Sequence, residues 1–206
     1  MADYKGATGR LGSWEETYRG MPAEELPWNA GEADKDLLAL LASGRVPRGK
    51  AYELGCGPGN DAAELARQGW KVTAVDIAPA AVRLARATAR RRGVTGRISF
   101  KVGDVLALRG KADAALVHDR GCFHTLPSKL WGDYRRTAAG LLDAGGILAL
   151  KVFSHRAAAG RGPYRFKPEE VLKVFSDGFE AVSIKNGFFH GPARPHALFC
   201  VFRRAL

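Results

Sequence analysis

The chain has 206 residues, 46% hydrophobic and 26% charged, with a formal net charge of +11. That length suits one well-buried domain, and no apolar run approaches the roughly 18–20 residues that span a bilayer. Its three cysteines, Cys56, Cys122 and Cys200, lie far apart with no CxxC pair, which argues against a disulfide framework or a cysteine-based zinc site and suits a reducing, cytoplasmic setting.

Residues 1–49 are polar and punctuated by Gly and Pro around Trp14, Tyr18 and Trp28. They carry no apolar stretch of signal-peptide type. Glu32–Leu41 predicts a helix, and the aromatic residues favour an arm or lid packed over a domain formed by residues 50–206. Lys50–Leu54 is a short strand that ends in a glycine-rich turn. Asp61–Gln68 has helical spacing, with Gly69 suited to the position past its end. Trp70–Val75 is a β-branched strand that stops at Asp76. Pro79–Arg92 predicts a helix with proline in its first turn and Gly93 beyond it.

Ile98–Val102 and Ala112–Val117 predict strands, and Leu130–Leu142 a helix closed by the DAGG turn. Ile147–Phe153 (ILALKVF) is a continuous buried strand, and Pro168–Phe175 is a helix. Ala181–Lys185 and Leu198–Phe202 are late strands with no helix between them, so they should pair as a hairpin. Strand–helix alternation predicts an α/β fold: a doubly wound, Rossmann-like, mostly parallel seven-stranded sheet with an antiparallel C-terminal hairpin strand.

The turn after the first strand reads Glu53-Leu54-Gly55-Cys56-Gly57-Pro58-Gly59-Asn60. Glycines here allow a sharp entry into the helix and a close approach of backbone to ligand. Asp76 follows at a strand end, where a carboxylate can accept from both ribose hydroxyls of a nucleoside. The spacing is GxGxG rather than the dinucleotide GxGxxG, and there is no GxxxxGK[ST] phosphate loop.

ELGCGPG closely resembles the first motif of class I S-adenosylmethionine-dependent methyltransferases. VTAVDIAPAAVRLAR resembles their second motif, VGDVLAL (102–108) their adenine-contacting segment, and LLDAGGILAL (141–150) their turn into the fifth strand. The resemblance implies S-adenosylmethionine as cofactor. By it, Glu53, Gly55, Gly57 and Gly59 line the methionine and ribose, with Cys56 between them. Asp76 holds the ribose hydroxyls and Ile77 packs on adenine. Gly103, Asp104 and Val105 form the segment in which Asp104 accepts from the adenine amino group.

HDRGCFHTLP (118–127) follows the fourth strand, at the sheet end where such folds bind ligands. Asp119 is placed to bind the methionine ammonium or the acceptor, and is a candidate catalytic group. His124 is the other, as a general base or as a polar contact in an aromatic pocket with Phe123. Arg120 is either a carboxylate ligand or a surface partner for an acid, and His118 suits a buried, hydrogen-bonded place. Cys122 and His124 lack a third orienting group and a nucleophile elbow, and no HExxH or comparable metal spacing exists, so no metal is expected.

Trp14-x3-Tyr18 followed by LPWNAG (26–31) resembles the N-terminal segment of the thiopurine, thiol and halide methyltransferase group. Asn29 stands where that group has an acid, and the proline after its glycine is absent. This resemblance implies that Trp14, Tyr18 and Trp28 cover the cofactor and acceptor. Residues 160–171 are either a second cover, contributing Tyr164, Arg165 or Phe166, or a plain connection. The expected activity is methylation of a small molecule, the favoured acceptor a thiol or similar soft nucleophile. The alternative, an RNA (tRNA or rRNA) or protein methyltransferase using the basic surface, rests on charge alone. Against it, the base-methylating NPPY/DPPY and PC motifs are absent.

Overall fold

The computed structural model describes residues 14–160, 162–191 and 193–205; the first thirteen residues of the expected N-terminal cover lie outside them. Seven strands form one sheet: β1 (Lys50–Leu54), β2 (Lys71–Asp76), β3 (Ile98–Val102), β4 (Ala114–Arg120), β5 (Leu142–Phe153), β6 (Phe179–Phe188) and β7 (His196–Arg204). Their order is β3-β2-β1-β4-β5-β7-β6. The first five are mutually parallel, while β7 runs antiparallel between β5 and β6. The expected hairpin therefore supplies two strands, with the later one inserted beside β5.

Six helices accompany the sheet among the described residues: α1 (Trp14–Gly20), α2 (Lys35–Ala42), α3 (Asn60–Arg67), α4 (Pro79–Arg91), α5 (Trp131–Leu141) and α6 (Pro168–Phe175). Strand side chains alternate between two apolar layers, as a two-residue period requires. Leu116, Ala149 and Val201 join Leu37, Leu65 and Ala85 of α2, α3 and α4. Their chain neighbours Val117, Leu150 and Phe202 join Tyr134, Leu141 and Phe175 of α5 and α6. Because α2 contributes Leu37 and Leu40 to the first layer, the segment before Lys50 shares the core of the sheet.

Several boundaries differ from expectation. β4 continues through His118, Asp119 and Arg120 because all three pair with β5, at Ala149, Leu150 and Lys151. β5 begins at Leu142, so the DAGG residues lie within the strand, where the register with β4 shifts between Ala114 and Leu116. α2 starts at Lys35, capped by Asp34, whose Oδ1 accepts from the amides of Asp36 and Leu37. Ahead of it α1 packs on the start of α4: Tyr18, Leu26, Ala80 and Ala81 form a third apolar cluster with Trp14 and Trp28 against it.

Candidate active site

The glycine turn closes β1 and enters α3. Gly55 has φ +70°, and a Cβ there would sit 2.5 Å from Cys122 Cβ, so only glycine lets the β1 turn meet the β4 turn. Gly57 has φ +48°, with the Tyr18 hydroxyl where a Cβ would approach to 2.9 Å. Its amide donates to Asp76 Oδ2 at 2.9 Å, and the Ala78 amide donates to Oδ1 at 2.9 Å. Asp76 is thus fixed at the end of β2, and burial pushes its carboxyl above the usual range.

Two connected hollows open at the carboxyl ends of the parallel strands. A narrow cleft of about 90 Å³ runs past Asp76, Ile77, Asp104, Val105 and Leu126. A chamber of about 340 Å³ has Glu53, Arg120, His124, Phe153, Phe189 and His190 in its wall. Trp14, Tyr18, Gly55, Gly121 and Thr125 belong to both walls and mark the junction. Tyr18 accepts from Trp28 Nε1 at 3.1 Å, and Trp14, Tyr18 and Trp28 pack mutually with ring centroids 5.7–6.4 Å apart. Burial, then the Asp76 charge, hold the Tyr18 hydroxyl protonated.

Glu53 is buried on the chamber wall, and its Oε2 has no hydrogen-bond partner among the described residues. Burial, and then Asp61 beside it, raise its carboxyl pKa well above the ordinary value. An orphaned acidic oxygen of this kind suits a cationic ligand group. With Asp76 pinned at one end and Glu53 open at the other, the residues fit a nucleoside joined to an amino-bearing tail. Among the described residues no group of His, Cys, Asp and Glu is arranged to hold a metal ion.

Other expected site residues lie elsewhere. Asp119 is fully buried beneath the turn: it accepts from the amides of Cys122 (2.8 Å) and Phe123 (3.0 Å) and from the Tyr134 hydroxyl (2.6 Å). Both its oxygens are used and it lines neither hollow, so the expectation of contact with cofactor or acceptor gives way to a turn-bracing role. Burial pushes its pKa up to about 6.

His124 does reach the chamber, but its Nδ1 accepts from the Phe153 amide at 2.9 Å, which leaves the proton on Nε2, and the Gly121 backbone is a further partner. Burial, reinforced by Arg165, pushes its pKa down to about 3. Its lone pair is committed to the Phe153 amide, which speaks for the polar contact in an aromatic pocket rather than for the base.

Phe123 is wholly buried among Trp131, Tyr134, Phe166 and Phe175, away from the cleft, because α5 and α6 demand apolar filling there. Tyr164 is exposed, donates to Glu170 and lines neither of these two hollows. Gly103 donates its amide to the Asp76 carbonyl and lines neither hollow, unlike its neighbours Asp104 and Val105. Cys56 lines the chamber as a buried thiol whose pKa burial raises. His118 is buried between the Ala149 carbonyl and Asp61 Oδ2.

Arg120 is a clamp. Its Nε donates to Asp34 Oδ2 (3.0 Å), Nη1 to the Trp28 carbonyl (2.9 Å) and Nη2 to the His190 carbonyl (2.7 Å). Lys151, buried at the end of β5, donates to Asp34 Oδ2 (2.6 Å) and Asp36 Oδ2 (2.7 Å). Burial alone would raise the Asp34 carboxyl, yet the Lys151 and Arg120 cations hold it well below the ordinary range. This cluster was missed in the sequence, although a lysine inside ILALKVF is itself a signal that a buried acid waits opposite. His190 and Phe189 had no such signal, since a loop between two strands says nothing of where it folds back.

The sequence profile of the thiopurine S-methyltransferase family matches residues 10–194. A 2-heptyl-1-hydroxyquinolin-4(1H)-one methyltransferase of Mycobacteroides abscessus is 29% identical, the match covering 90% of this chain and 88% of the relative. A probable thiol methyltransferase 2 of Arabidopsis thaliana is 27% identical over 89% of this chain and 80% of its own. A solved structure from work on conversion of a disulfide bond into a thioacetal group during echinomycin biosynthesis superposes with a TM-score of 0.80, at 25% identity over 93% of this chain and 91% of that one. The fold is also that of magnesium protoporphyrin IX methyltransferase from Synechocystis PCC 6803 with bound S-adenosylmethionine (TM-score 0.68, 22% identity, 84% of this chain and 77% of that one).

Proposed function

The chain belongs to the thiopurine S-methyltransferase family and is an S-adenosylmethionine-dependent small-molecule methyltransferase, and we propose that its favoured acceptor is a thiol or a similarly soft nucleophile. The observation that carries the proposal is the junction of the narrow cleft with the aromatic-walled chamber at Trp14, Tyr18, Gly55, Gly121 and Thr125. In this reading Asp76 holds the ribose hydroxyls, and Ile77, Asp104 and Val105 hold the adenine. Glu53, Gly55 and Gly57 hold the methionine end, where the free Glu53 oxygen meets the ammonium.

The cofactor supplies a methyl group already activated on a sulfonium. The chain's task is then to hold the acceptor in line and to exclude water. Trp14 and Tyr18 stand at the junction, and Trp28, Phe153 and Phe189 give the chamber apolar walls. When an anionic sulfur meets a cationic centre, charge is lost on the way to the transition state, and a dry site favours that. Relatives named for thiol and thiocyanate methylation support this acceptor class.

The alternative acceptor, RNA, has one feature in its favour: Lys50, Arg67, Lys71, Arg97, Arg109 and Lys111 line a groove. Lys50 and Lys71 stand at the starts of β1 and β2, the opposite end of the sheet from the cleft. A strand of this length separates the two by roughly 17–20 Å, so a chain lying in the groove would not present its base to the junction. Purified protein with labelled cofactor should methylate members of a panel of thiols, thiopurines, halides and phenols, best among the sulfur acceptors. Absence of transfer to any of them would remove the acceptor assignment.

A further inference from the structure

We propose that His190, oriented by Asp34, takes the proton of the acceptor, so that the chamber is built for an acceptor bearing a dissociable hydrogen on sulfur or oxygen. The proposal rests on the methyltransferase reading of the chamber. His190 lies on the loop between β6 and β7 and lines the chamber with Phe189 and Arg120. Its Nδ1 is buried without a hydrogen-bond partner among the described residues and lies 3.6 Å from Asp34 Oδ2, just beyond hydrogen-bond length. The same Arg120 guanidinium grips the Asp34 carboxylate and the His190 carbonyl, which fixes the two residues relative to each other.

A hydrogen on Nδ1 directed at Asp34 leaves the Nε2 lone pair free, in an imidazole whose side chain keeps 23% of its surface open. His124, the other imidazole in the chamber wall, has its Nδ1 committed to the Phe153 amide and the proton on Nε2. The charged groups around His190 are Asp34, Asp36, Arg120 and Lys151 in the buried cluster, with Glu32, Glu53, Asp61 and Arg194 on the chamber wall. Asp34 is the acid within reach of its Nδ1.

The step balances simply. The acceptor sulfur or oxygen forms its bond to the methyl carbon as the methyl–sulfonium bond breaks, and that electron pair neutralises the sulfonium. The acceptor's hydrogen passes as a proton to His190 Nε2 and then to water. A halide or thiocyanate carries no such hydrogen and would leave His190 idle.

The test compares wild type, His190→Gln and His190→Ala on a thiol of cysteine-like acidity and on thiocyanate across pH. Without a base the thiol route depends on free thiolate, a few per cent at pH 7 for a pKa of about 8.5, so kcat/KM should fall roughly tenfold to thirtyfold there. The deficit should shrink to within about threefold near pH 10, where solution supplies the thiolate, while thiocyanate transfer stays within about threefold at every pH. Equal losses on both acceptors at all pH values, or no loss on the thiol, would overturn the proposal. Nitrogen-15 spectra of the neutral His190 ring need no turnover: the Nδ1–H tautomer is expected, and an Nε2–H tautomer would also overturn it. Wild-type protein inactive on the whole panel would sink the acceptor assignment, while the tautomer would still decide the role of His190.

Discussion

Single residues of the site differ in what they can be asked to do, because burial and partners divide the acids into distinct roles. Asp76 keeps both oxygens anchored by backbone amides yet borders the cleft. Asp76→Ala should weaken cofactor binding at least about a hundredfold, two lost ribose hydrogen bonds to a charged group being worth roughly 1.5–3 kcal/mol each. Calorimetry showing unchanged affinity would refute its role. Asp34 and Lys151 are fully buried partners. Lys151→Met leaves the carboxylate short of one cation, and urea unfolding should show a loss of about 3–5 kcal/mol. Asp119 is a pH-sensitive burden rather than a catalyst. Its folded-state pKa of about 6 lies above that of an unfolded carboxyl, so the native state holds the proton more tightly. Stability therefore falls as pH rises from about 4 through about 6. The stability gap between wild type and Asp119→Asn should narrow over that window by up to about 3 kcal/mol, and a constant gap would contradict the assignment.

Among the elements, β4 decides most of the site. Its apolar run was legible as far as Val117, but His118, Asp119 and Arg120 looked like a loop because charged residues rarely continue a central strand. Pairing with β5 carries them into the sheet, and each polar side chain then finds a partner that lies far away in sequence: Asp61, Tyr134 and Asp34. Arg120 in turn holds the segment around Trp28 and the β6–β7 loop together through three nitrogens. A lysine ammonium cannot reproduce that planar fork. Arg120→Lys should lower kcat/KM about tenfold, the loss of one hydrogen bond to a charged group, and should speed proteolysis within residues 21–33. Unchanged rates in both measurements would show that the clamp is not needed.

For the molecule as a whole, the charge of +11 resides largely on outer faces. Arg83, Arg86 and Arg90 are exposed along α4, and Arg86 stacks on Phe100. No helix among the described residues is long and apolar enough to cross a membrane. If the acceptor is a small neutral thiol, kcat/KM should change by no more than about twofold between 50 and 200 mM salt, whereas phosphate tracking through six or more contacts would cost about a thousandfold. Kinetics across that range separate the two cases.

The order of strands and helices, the glycine turn and Asp76 could be read from local sequence, because period, turn chemistry and short spacing are properties of neighbouring residues. The hairpin at the end was legible for the same reason. The chamber was not. Its wall draws together Trp14, Glu53, Arg120, Phe153 and His190 from five separate parts of the chain, and the choice among buried, braced and open polar groups depends on side-chain partners 15 to 117 residues away. Sequence determined that the carboxylate and the two imidazoles of HDRGCFHTLP stand at the ligand end of the sheet. Only tertiary packing decided that Asp119 and His124 would spend their lone pairs on backbone amides and Tyr134, leaving His190 open toward the chamber.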